Sequence, residues 1–449
     1  MGYAQYSELD SSGVAWLQDK PLHWRVKRLK FSVDLINIKV SVEESSLPYL
    51  GLEHIESWTG RKIDGEISNS EGVASSYLAG DVLFGKLRPY LAKVHLAQQN
   101  GLISSEALVV RSKAELHAEF LKYYMLSRDF INIVDSSTYG SKMPRASWNF
   151  IGNLPVLLPE IEEQQTIAHF LDFKTAQIDA LIAKQKALLD KLAEKRTALI
   201  SHAVTKGLDP SAPMKDSKVE WLGSVPSHWK RGVKLNYMAA QQRHSFVNGP
   251  FGSDLLSSEL TDDGVPVIYS GDVKPNRFFR KSSSYVTEEK AEQLNFCRVD
   301  PGDLLLAKVG DPPGDAAIYP EDAPSGIVTQ DVVRIKLNDE IADSQYLTLL
   351  FNSKYGRFVI RTVSVEATRG RFSLGDFKSL RFVMPPLNEQ RQIAGALISQ
   401  IRPILDQEDK VLEVIAKLQE YRSALITNAV TGKIDVRGFQ IPQPAQGMA

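Results

Sequence analysis

One long stretch occurs twice in this chain of 449 residues, first from Leu154 to Asp209 and again from Leu380 to Asp435. A single shift of register aligns the two copies without a gap, so that Glu163-Gln164 falls on Glu389-Gln390. A repeat constrains the fold before anything else does, because each copy must adopt the same local structure and bury the same face. The chain is therefore predicted to consist of two related halves.

Both copies have the periodicity of a long helix. Apolar residues recur at alternating steps of four and three, which is the spacing of a coiled-coil seam. A helix of about 45 residues spans roughly 65–70 Å and needs a partner for its apolar stripe, and the other copy is the nearest candidate. Pro403 is expected to kink or break the second helix. The predicted seam residues are Leu171, Ile178, Ile182, Leu189, Leu192 and Leu199 in the first copy, and Leu397, Ile404, Val411, Ile415, Leu418 and Leu425 in the second.

A second repeat lies ahead of each helix. The motif from Trp16 to Trp24 recurs from Trp221 to Trp229, with leucine, proline and histidine at matching places. We predict that its histidines pack in a turn, because no acidic or cysteine partner lies at metal-ligand spacing. Short β-branched runs separated by Gly-Asp and proline follow in each half. They indicate a mainly-β unit with peripheral helices, one of them expected at Glu119–Arg128 and at Ser344–Lys354.

The predicted fold class is α+β, with two mainly-β domains that are each followed by a long α-helix. Proline residues after the first helix indicate a linker. The predicted boundaries are 1–155 for the first domain, 156–207 for the first long helix, 208–220 for the linker, 221–384 for the second domain, 385–433 for the second long helix and 434–449 for a C-terminal tail.

The composition excludes several classes of protein. A net charge of −1 provides no overall attraction to nucleic acid or membrane, although it is compatible with local basic loops. Cys297 is the only cysteine, which excludes intrachain disulfides and multi-cysteine zinc sites and fits a reducing cytoplasm. We expect Cys297 to be a small core residue. No apolar run approaches membrane-spanning length, so we expect a cytoplasmic protein without membrane contact.

The sequence contains no complete catalytic motif. Gly80–Lys86 has the spacing of a phosphate-binding loop, but Leu87 replaces the hydroxyl residue that would hold Mg²⁺, and Pro89 blocks the helix that should follow. The tetrapeptide ending at Gly314 lacks the aromatic residue with which amino-methyltransferases stack on a flipped base. No glycine-rich cofactor fingerprint follows a strand. We therefore predict no catalytic residue and no metal ligand in this chain.

Basic loops provide the strongest signal for binding. A stretch with glycine, hydroxyl and arginine residues lies just before each long helix, at Ser137–Arg145 and at Val365–Phe372. These groups are the usual donors to phosphates and base edges, and their recurrence in both halves favours DNA contact over a solvated turn. Aromatic residues alternate with cations at Lys86–Tyr90 and Asn276–Lys281, and Gly249–Ser253 is a glycine loop suited to close approach to a groove. The candidate DNA-binding residues are Lys86, Arg88, Tyr139, Ser141, Lys142, Arg145, Ser253, Arg277, Lys308, Arg369 and Arg371.

Over nearly its whole length the chain resembles the specificity subunits of type I restriction–modification enzymes. The resemblance rests on the Glu-Gln entry to each helix, the Arg-x-Ala-Leu-Ile-x-x-Ala-Val-Thr exit, the tryptophan-containing opening motif and the order of globular unit and helix, repeated twice. The matching segments are Pro159–Gln164, Pro385–Gln390, Arg196–Thr205, Arg422–Thr431 and Gly249–Ser253.

The resemblance implies two target recognition domains on an antiparallel coiled coil with pseudo-twofold symmetry. Each domain would read one half of a split double-stranded DNA site, and the helices would set the spacing. Two methylation subunits and two restriction subunits would dock on this chain. S-adenosylmethionine, ATP and Mg²⁺ would bind to those partners, and no cofactor would bind to this chain. Residues expected to be exposed beside the seam, which would receive partners or else widen the core, are Phe170, Phe173, Ile398 and Tyr421.

The residues support the same interpretation on physical grounds. Two related modules on a rigid spacer suit half-sites about one DNA turn apart, ~34 Å. The two modules have diverged, whereas their helices have not. This divergence predicts an asymmetric site, because different base edges need different side chains. Two alternatives remain at this stage: a coiled-coil adaptor with no DNA role, and a single-chain DNA methyltransferase or nuclease.

Overall fold

A computed structural model describes residues 3–63, 65, 72–140, 142–219, 221–310, 312–365 and 370–440. The chain forms two compact units, and each long helix contributes to both. Unit 1 comprises Met1–Lys186 and Leu412–Ala449, and unit 2 comprises Ala187–Val411. Each unit therefore combines one β-rich domain with the beginning of one long helix and the end of the other.

The described part of unit 1 contains two four-stranded sheets, ordered β5-β7-β10-β6 and β4-β11-β8-β9, and the two-stranded sheets β1-β2 and β12-β3. The strands are β1 (Leu9–Ser11), β2 (Asp19–Pro21), β3 (Arg25–Arg28), β4 (Val33–Ile36), β5 (Lys39–Ser41), β6 (Tyr49–Leu50), β7 (Val73–Tyr77), β8 (Val82–Gly85), β9 (Val94–Leu96), β10 (Gly101–Ser104), β11 (Ala107–Ser112) and β12 (Pro155–Leu158). The helices are α1 (Leu29–Ser32), α2 (Ala118–Leu126), α3 (Arg128–Ser136), α4 (Trp148–Ile151) and the long α5 (Ile161–Lys206), which continues into unit 2.

In unit 2 the described residues form four-stranded sheets ordered β16-β26-β22-β24 and β20-β17-β25-β21, a three-stranded sheet β23-β28-β27, and the pairs β13-β14, β15-β29 and β18-β19. The strands are β13 (Met214–Asp216), β14 (Ser224–Pro226), β15 (Lys230–Lys234), β16 (Phe246–Asn248), β17 (Val265–Ile268), β18 (Val273–Lys274), β19 (Arg277–Phe278), β20 (Tyr285–Val286), β21 (Arg298–Val299), β22 (Leu304–Ala307), β23 (Val309–Gly310), β24 (Ala316–Ile318), β25 (Gly326–Val328), β26 (Val332–Ile335), β27 (Ser364–Val365), β28 (Gly370–Phe372) and β29 (Arg381–Met384). The helices are α6 (Leu235–Met238), α7 (Glu288–Gln293), α8 (Ser344–Asn352), α9 (Lys354–Arg361), α10 (Leu374–Ser379) and the long α11 (Leu387–Val430), which continues into unit 1.

The two domains share one four-stranded sheet of the same order, β4-β11-β8-β9 in unit 1 and β16-β26-β22-β24 in unit 2, which confirms two β-rich repeats. Their second sheets differ in the fourth strand, because β5 pairs with β7 in unit 1 and β20 pairs with β17 in unit 2. Strand β6 pairs in parallel with β10, with Tyr49 opposite Leu102, and β17 pairs in parallel with β25, with Val267 opposite Ile327. A 3₁₀ turn follows both β6 and β17. Strands β8 and β22 likewise lie beside β11 and β26 in antiparallel pairs. The segments matched by sequence therefore occupy equivalent places in the two sheets.

The two predicted long helices are confirmed, with 46 residues in α5 and 44 in α11. Helix α11 continues through Pro403, so a break at this residue is wrong, whereas a kink there stays a prediction. Pro403 is exposed, whereas Ile401 and Ile404 on either side are buried. Burial of these two side chains, at about 1.5–3 kcal/mol each, offsets the roughly 3 kcal/mol cost of an internal proline.

Most of the predicted seam is buried. Three positions, Leu189, Leu199 and Leu418, are only half-buried. The buried seam residues are Leu171, Ile178, Ile182, Leu192, Leu397, Ile404, Val411, Ile415 and Leu425.

Ion pairs join the two long helices inside each unit. In unit 1, Arg422 near the end of α11 binds Asp179 in the first half of α5, at 3.0 and 3.3 Å. In unit 2, the equivalent arginine of the first copy, Arg196, binds Glu408 of α11 at 2.7 Å. Within each unit the first part of one helix thus meets the last part of the other, as an antiparallel pair requires.

Each domain contains a second short helix that the sequence did not predict. Helix α3 follows α2 after Ser127, and α9 follows α8 after Ser353. Both serines are extended and buried, and their hydroxyls donate to the carbonyl of the residue three positions earlier at 2.7 and 2.6 Å. The serines end one helix and begin the next without a proline or glycine to signal the boundary.

The motif that opens each domain is fixed by the glutamate at the start of its long helix. The Glu163 carboxylate accepts from the Trp24 indole N–H at 3.2 Å and the Tyr6 hydroxyl at 2.7 Å, and it lies 2.8 Å from His23 Nε2. In unit 2, Glu389 contacts the equivalent histidine at 2.6 Å and accepts from the tryptophan at 3.0 Å. Both histidines lie in the turn with 42% and 48% of their side chains exposed, and each is held by a carboxylate that lies far away in the sequence, a partner that sequence analysis did not predict.

Three further observations concern metal binding, membrane-spanning helices and the cysteine. No group of three or more His, Cys, Asp and Glu side chains among the described residues is placed to hold a metal ion. None of the described helices combines the length and apolarity that crossing a membrane requires. Cys297 is buried in the core of the second domain, as predicted.

Candidate nucleic-acid interface

In unit 1 the loop after β8 and the basic loop before α5 lie against each other. The Lys86 carbonyl accepts from the Ala146 N–H at 2.9 Å, and the Arg88 N–H donates to the Pro144 carbonyl at 2.8 Å. We call Lys86–Arg88 together with Tyr139–Arg145 loop pair 1. Two stretches that sequence analysis selected separately therefore form one surface, and within it Ser141 lies outside the described residues.

The backbone at Arg88 is strained. Its φ of 51° lies in the left-handed region, which side chains other than glycine rarely adopt. Pro89 follows and begins a 3₁₀ turn through Leu91. The turn leaves the Arg88 side chain exposed beside the half-exposed ring of Tyr90. Strain of this kind persists where the surrounding structure enforces it, and it is common at binding sites.

Loop pair 1 presents cations and apolar side chains to solvent. Tyr139 is 64% exposed, and Arg88 and Lys142 are exposed as well. Lys86, Arg88 and Lys142 form no ion pair with any described residue. Burial, and then the nearby charge of Lys86, lower the pKa of the Lys39 ammonium on β5, so Lys86 is close enough to Lys39 for the two cations to repel each other. An anion at this surface would relieve that repulsion.

Arg145 is held differently from the other cations. Its Nε donates to Glu106 Oε2 at 2.9 Å and its Nη2 donates to Glu106 Oε1 at 3.1 Å. The hydrogen bond lowers the pKa of the Glu106 carboxyl and raises the pKa of the Arg145 guanidinium. Sequence analysis missed Glu106, which lies in the turn before β11. The available signal was its position in the Glu106–Val110 segment, which matches Asp331–Ile335 in the second half.

Unit 2 brings the corresponding stretches together as a sheet. Strands β23 and β28 pair with Val309 opposite Arg371 and Gly310 opposite Gly370. The Lys308 N–H donates to the Asp331 carbonyl at 2.7 Å, as the Lys86 N–H donates to the Glu106 carbonyl at 2.9 Å in unit 1. We call Lys308–Gly310 together with Gly370–Arg371 loop pair 2. The predicted residue Arg369 lies outside the described residues.

Two other predicted DNA-binding residues lie in separate surroundings. Arg277 Nη1 binds the Asp409 carboxylate of α11 at 3.2 and 3.3 Å, at the edge of a groove of about 410 Å³. The groove is lined in part by Ile398, which is half-exposed as predicted. Ser253 lies in an exposed loop, where its hydroxyl is 3.4 Å from the Asp254 carboxylate. A DNA contact by Arg277 or Ser253 stays a prediction.

The expected exposure of Phe170 beside the seam is wrong. Its ring is buried between the edges of Tyr3 and Phe439, with ring centroids 5.3 and 5.0 Å away, and Phe173 also packs on Phe439. The start of the chain and the segment after α11 cover this face of α5 within unit 1, which the helical spacing did not reveal. Tyr421 is 48% exposed, as predicted.

The fold and its surfaces define a class of protein: a duplicated β-rich domain joined to two paired long helices, with a cationic loop pair in each domain. A family model described as the type I restriction modification DNA specificity domain matches residues 76–191 and 252–416. The chain belongs to this family, and it is a type I restriction–modification specificity subunit by that membership.

Known relatives agree with this assignment. The MjaVIII specificity subunit of Methanocaldococcus jannaschii is 23% identical over 429 residues, which cover 93% of this chain and 95% of the relative. The EcoDI specificity subunit of Escherichia coli is 27% identical over 165 residues, 36% of this chain and 37% of the relative. A solved structure from a study of assembly and conformational transition of the type I R-M system covers 92% of this chain and 98% of its own, with a TM-score of 0.57. At 18% identity, this structural likeness shows a shared fold and no more.

Proposed function

We propose that this chain is the DNA-reading and scaffold subunit of a type I restriction–modification complex. Each domain reads one half of an asymmetric split site through its loop pair, and the paired helices set the spacing of the two halves. Methylation and restriction subunits dock on the chain and carry S-adenosylmethionine, ATP and Mg²⁺. The chain itself performs no catalysis.

The observation that carries the proposal is the recurrence of one surface in two diverged domains. Loop pairs 1 and 2 use the same backbone connections at equivalent strands, and both expose cations that have no ion pair among the described residues. Cationic side chains beside backbone N–H groups are the usual phosphate and base-edge donors. The remaining surface of a chain with a net charge of −1 offers no general attraction to DNA, so binding depends on such local sites.

The test is DNA binding by the complex of this chain with its methylation subunits. The modified motif is first identified by methylation sequencing of cells that carry the complex. Binding to that motif is then measured across a salt series for Lys142→Ala and Arg371→Ala. Each variant is expected to weaken binding and to make the slope of log K against log salt shallower by about 0.9 for each lost phosphate contact. Lys218→Ala is the control, because it removes an exposed cation, paired with Asp216, that lies outside both loop pairs.

Three outcomes would contradict the proposal. Wild-type affinity and salt slope in both loop variants would remove the loop pairs from the interface. Absence of any sequence-specific modification by the complex would favour an adaptor without a DNA role. Binding of labelled S-adenosylmethionine by the isolated chain would favour an enzyme.

A further inference from the structure

The pair of Glu106 and Arg145 leaves one end of the arginine side chain available. Arginine has five N–H donors in a planar fork. Glu106 engages Nε and Nη2 at 2.9 and 3.1 Å, so Nη1 and the second hydrogen of Nη2 remain at the far end of the fork. The two side chains are 35% and 28% exposed, which places the pair at the surface with its charge accessible. Two adjacent N–H donors at fixed spacing match two adjacent acceptors.

We infer that Glu106 orients Arg145 to read one guanine in the half-site recognised by unit 1, an inference that rests on the proposed function. The O6 and N7 atoms of guanine form the adjacent acceptor pair of the major groove, and bidentate arginine is the side chain that most commonly recognises them. Arg145 makes the base contact, and Glu106 is a positioning residue.

Charge distinguishes this role from phosphate binding. The Glu106 carboxylate balances the Arg145 guanidinium, so the pair adds little to attraction for a phosphate backbone. Lys86, Arg88 and Lys142 beside it carry unbalanced charge among the described residues and suit that task better. Loop pair 1 thus contains both kinds of contact, phosphate contacts that position the domain and a base contact that specifies sequence.

Backbone hydrogen bonds hold the segments that carry the ion pair, as a base-reading group requires. Arg145 and Tyr139 exchange both backbone hydrogen bonds, at 3.0 and 3.2 Å. Lys86 connects the two partners, because its N–H donates to the Glu106 carbonyl at 2.9 Å and its carbonyl accepts from the Ala146 N–H at 2.9 Å. A contact that discriminates bases needs its donor held within about half an ångström, and this connection holds both ends of the ion pair on one framework.

Loop pair 2 lacks the same arrangement in the described residues. Asp331 stands where Glu106 does, with a side chain one methylene shorter. Arg371 stands where Arg145 does and pairs with no described carboxylate. Among the described residues, the buttressed arginine therefore occurs in the first domain alone, and it contributes to the asymmetry of the split site.

The experiment measures base discrimination in the reconstituted methyltransferase. Once the motif is known, methylation is compared on DNA libraries in which each position of both half-sites is varied in turn. Arg145→Lys keeps the charge and removes the fork, and Glu106→Gln is close in shape but removes the carboxylate. Both variants are expected to lose about 5- to 150-fold of discrimination at the same single G·C pair and to retain it elsewhere.

Affinity for non-cognate DNA separates positioning from a purely structural role. Glu106→Gln removes a negative charge beside DNA, so non-specific binding is expected to stay level or rise while discrimination falls. If Glu106 only stabilised the fold, Glu106→Gln would instead lower non-specific binding, base discrimination and the melting temperature together. The melting temperature is measured in parallel. Lys142→Ala is expected to weaken binding to every sequence, and Asp331→Asn is expected to leave discrimination unchanged at every position.

Several results would overturn the inference. Arg145→Lys and Glu106→Gln could leave base discrimination unchanged, or they could relax it at two different positions. Either variant could also weaken binding equally on all sequences. If Arg145→Lys does not fold, Glu106→Gln alone decides the question. A wild-type complex that modifies no split site would reject the proposed function and this inference together, whereas a split site with no relaxed position rejects this inference alone.

Discussion

The buried ion pair between Arg422 and Asp179 is predicted to be among the most sensitive sites of unit 1. Both side chains are 8% exposed, and the contacts measure 3.0 and 3.3 Å. Arg422 Nη1 also donates to the Trp58 carbonyl at 2.8 Å, so one guanidinium joins both helices and a loop of the first domain. After Arg422→Met, the nearest cation to Asp179 is Arg61, at 3.6 Å and 57% exposed.

The expected loss of stability follows from these contacts. Removal of one partner of a buried pair leaves an uncompensated charge and costs about 3–5 kcal/mol. The partly exposed Arg61 compensates weakly, because exposed ion pairs contribute about 0–1 kcal/mol. We therefore expect Arg422→Met to lower the free energy of unfolding by about 3 kcal/mol or more. The double variant with Asp179→Leu removes both charges and is expected to lose less than the sum of the single variants.

Urea denaturation of the wild type, Arg422→Met, Asp179→Leu and the double variant checks the prediction. Lys417→Ala serves as a control, because its ion pair with Glu413 is exposed on both sides and its loss is expected to change stability by less than about 0.5 kcal/mol. A cost below about 1 kcal/mol for Arg422→Met would refute the reasoning. Additive effects of the two single substitutions would refute it as well.

Two further predictions concern buried groups. Glu163→Gln is expected to destabilise the chain by roughly 1–2 kcal/mol more than Glu389→Gln in thermal unfolding, because Glu163 accepts an additional hydrogen bond from Tyr6, and equal costs would contradict this. Burial raises the pKa of the Cys297 thiol to about 12, so at pH 8 the native thiol stays protonated, and unfolding returns its pKa to about 8.5. A disulfide reagent such as DTNB is therefore expected to react about 10³-fold faster with the unfolded chain, and rapid stoichiometric labelling of native protein would contradict this.

The paired loops show how far the candidate site was predictable. Sequence analysis selected the stretch at Lys86 and the stretch at Arg145 for their cations, and the structure joins them. Sequence analysis did not find Glu106, because a carboxylate in a turn has no local pattern that marks it as an arginine partner. Lys308 and Arg371 are joined in the same way in unit 2, where Arg369 lies outside the described residues. DNA contact by each of these side chains remains a prediction.

The sequence by itself determined the duplication, the two long helices, the seam and the β-rich character of both domains. These features follow from local periodicity, since the spacing of apolar residues decides which face of a helix or strand can be buried. It also determined that Cys297 belongs to a core.

Only the tertiary structure decided which distant groups meet. Glu163 accepts a hydrogen bond from Trp24, which lies 139 residues earlier in the chain. Phe170 is covered by a segment from the other end of the chain, and Ser127 separates α2 from a helix that the sequence did not predict. Each outcome depends on packing and hydrogen bonds between residues far apart in sequence, and no local spacing encodes them. The ion pair of Glu106 and Arg145 is another contact of this kind, because only the fold brings the turn before β11 beside the loop that contains Arg145.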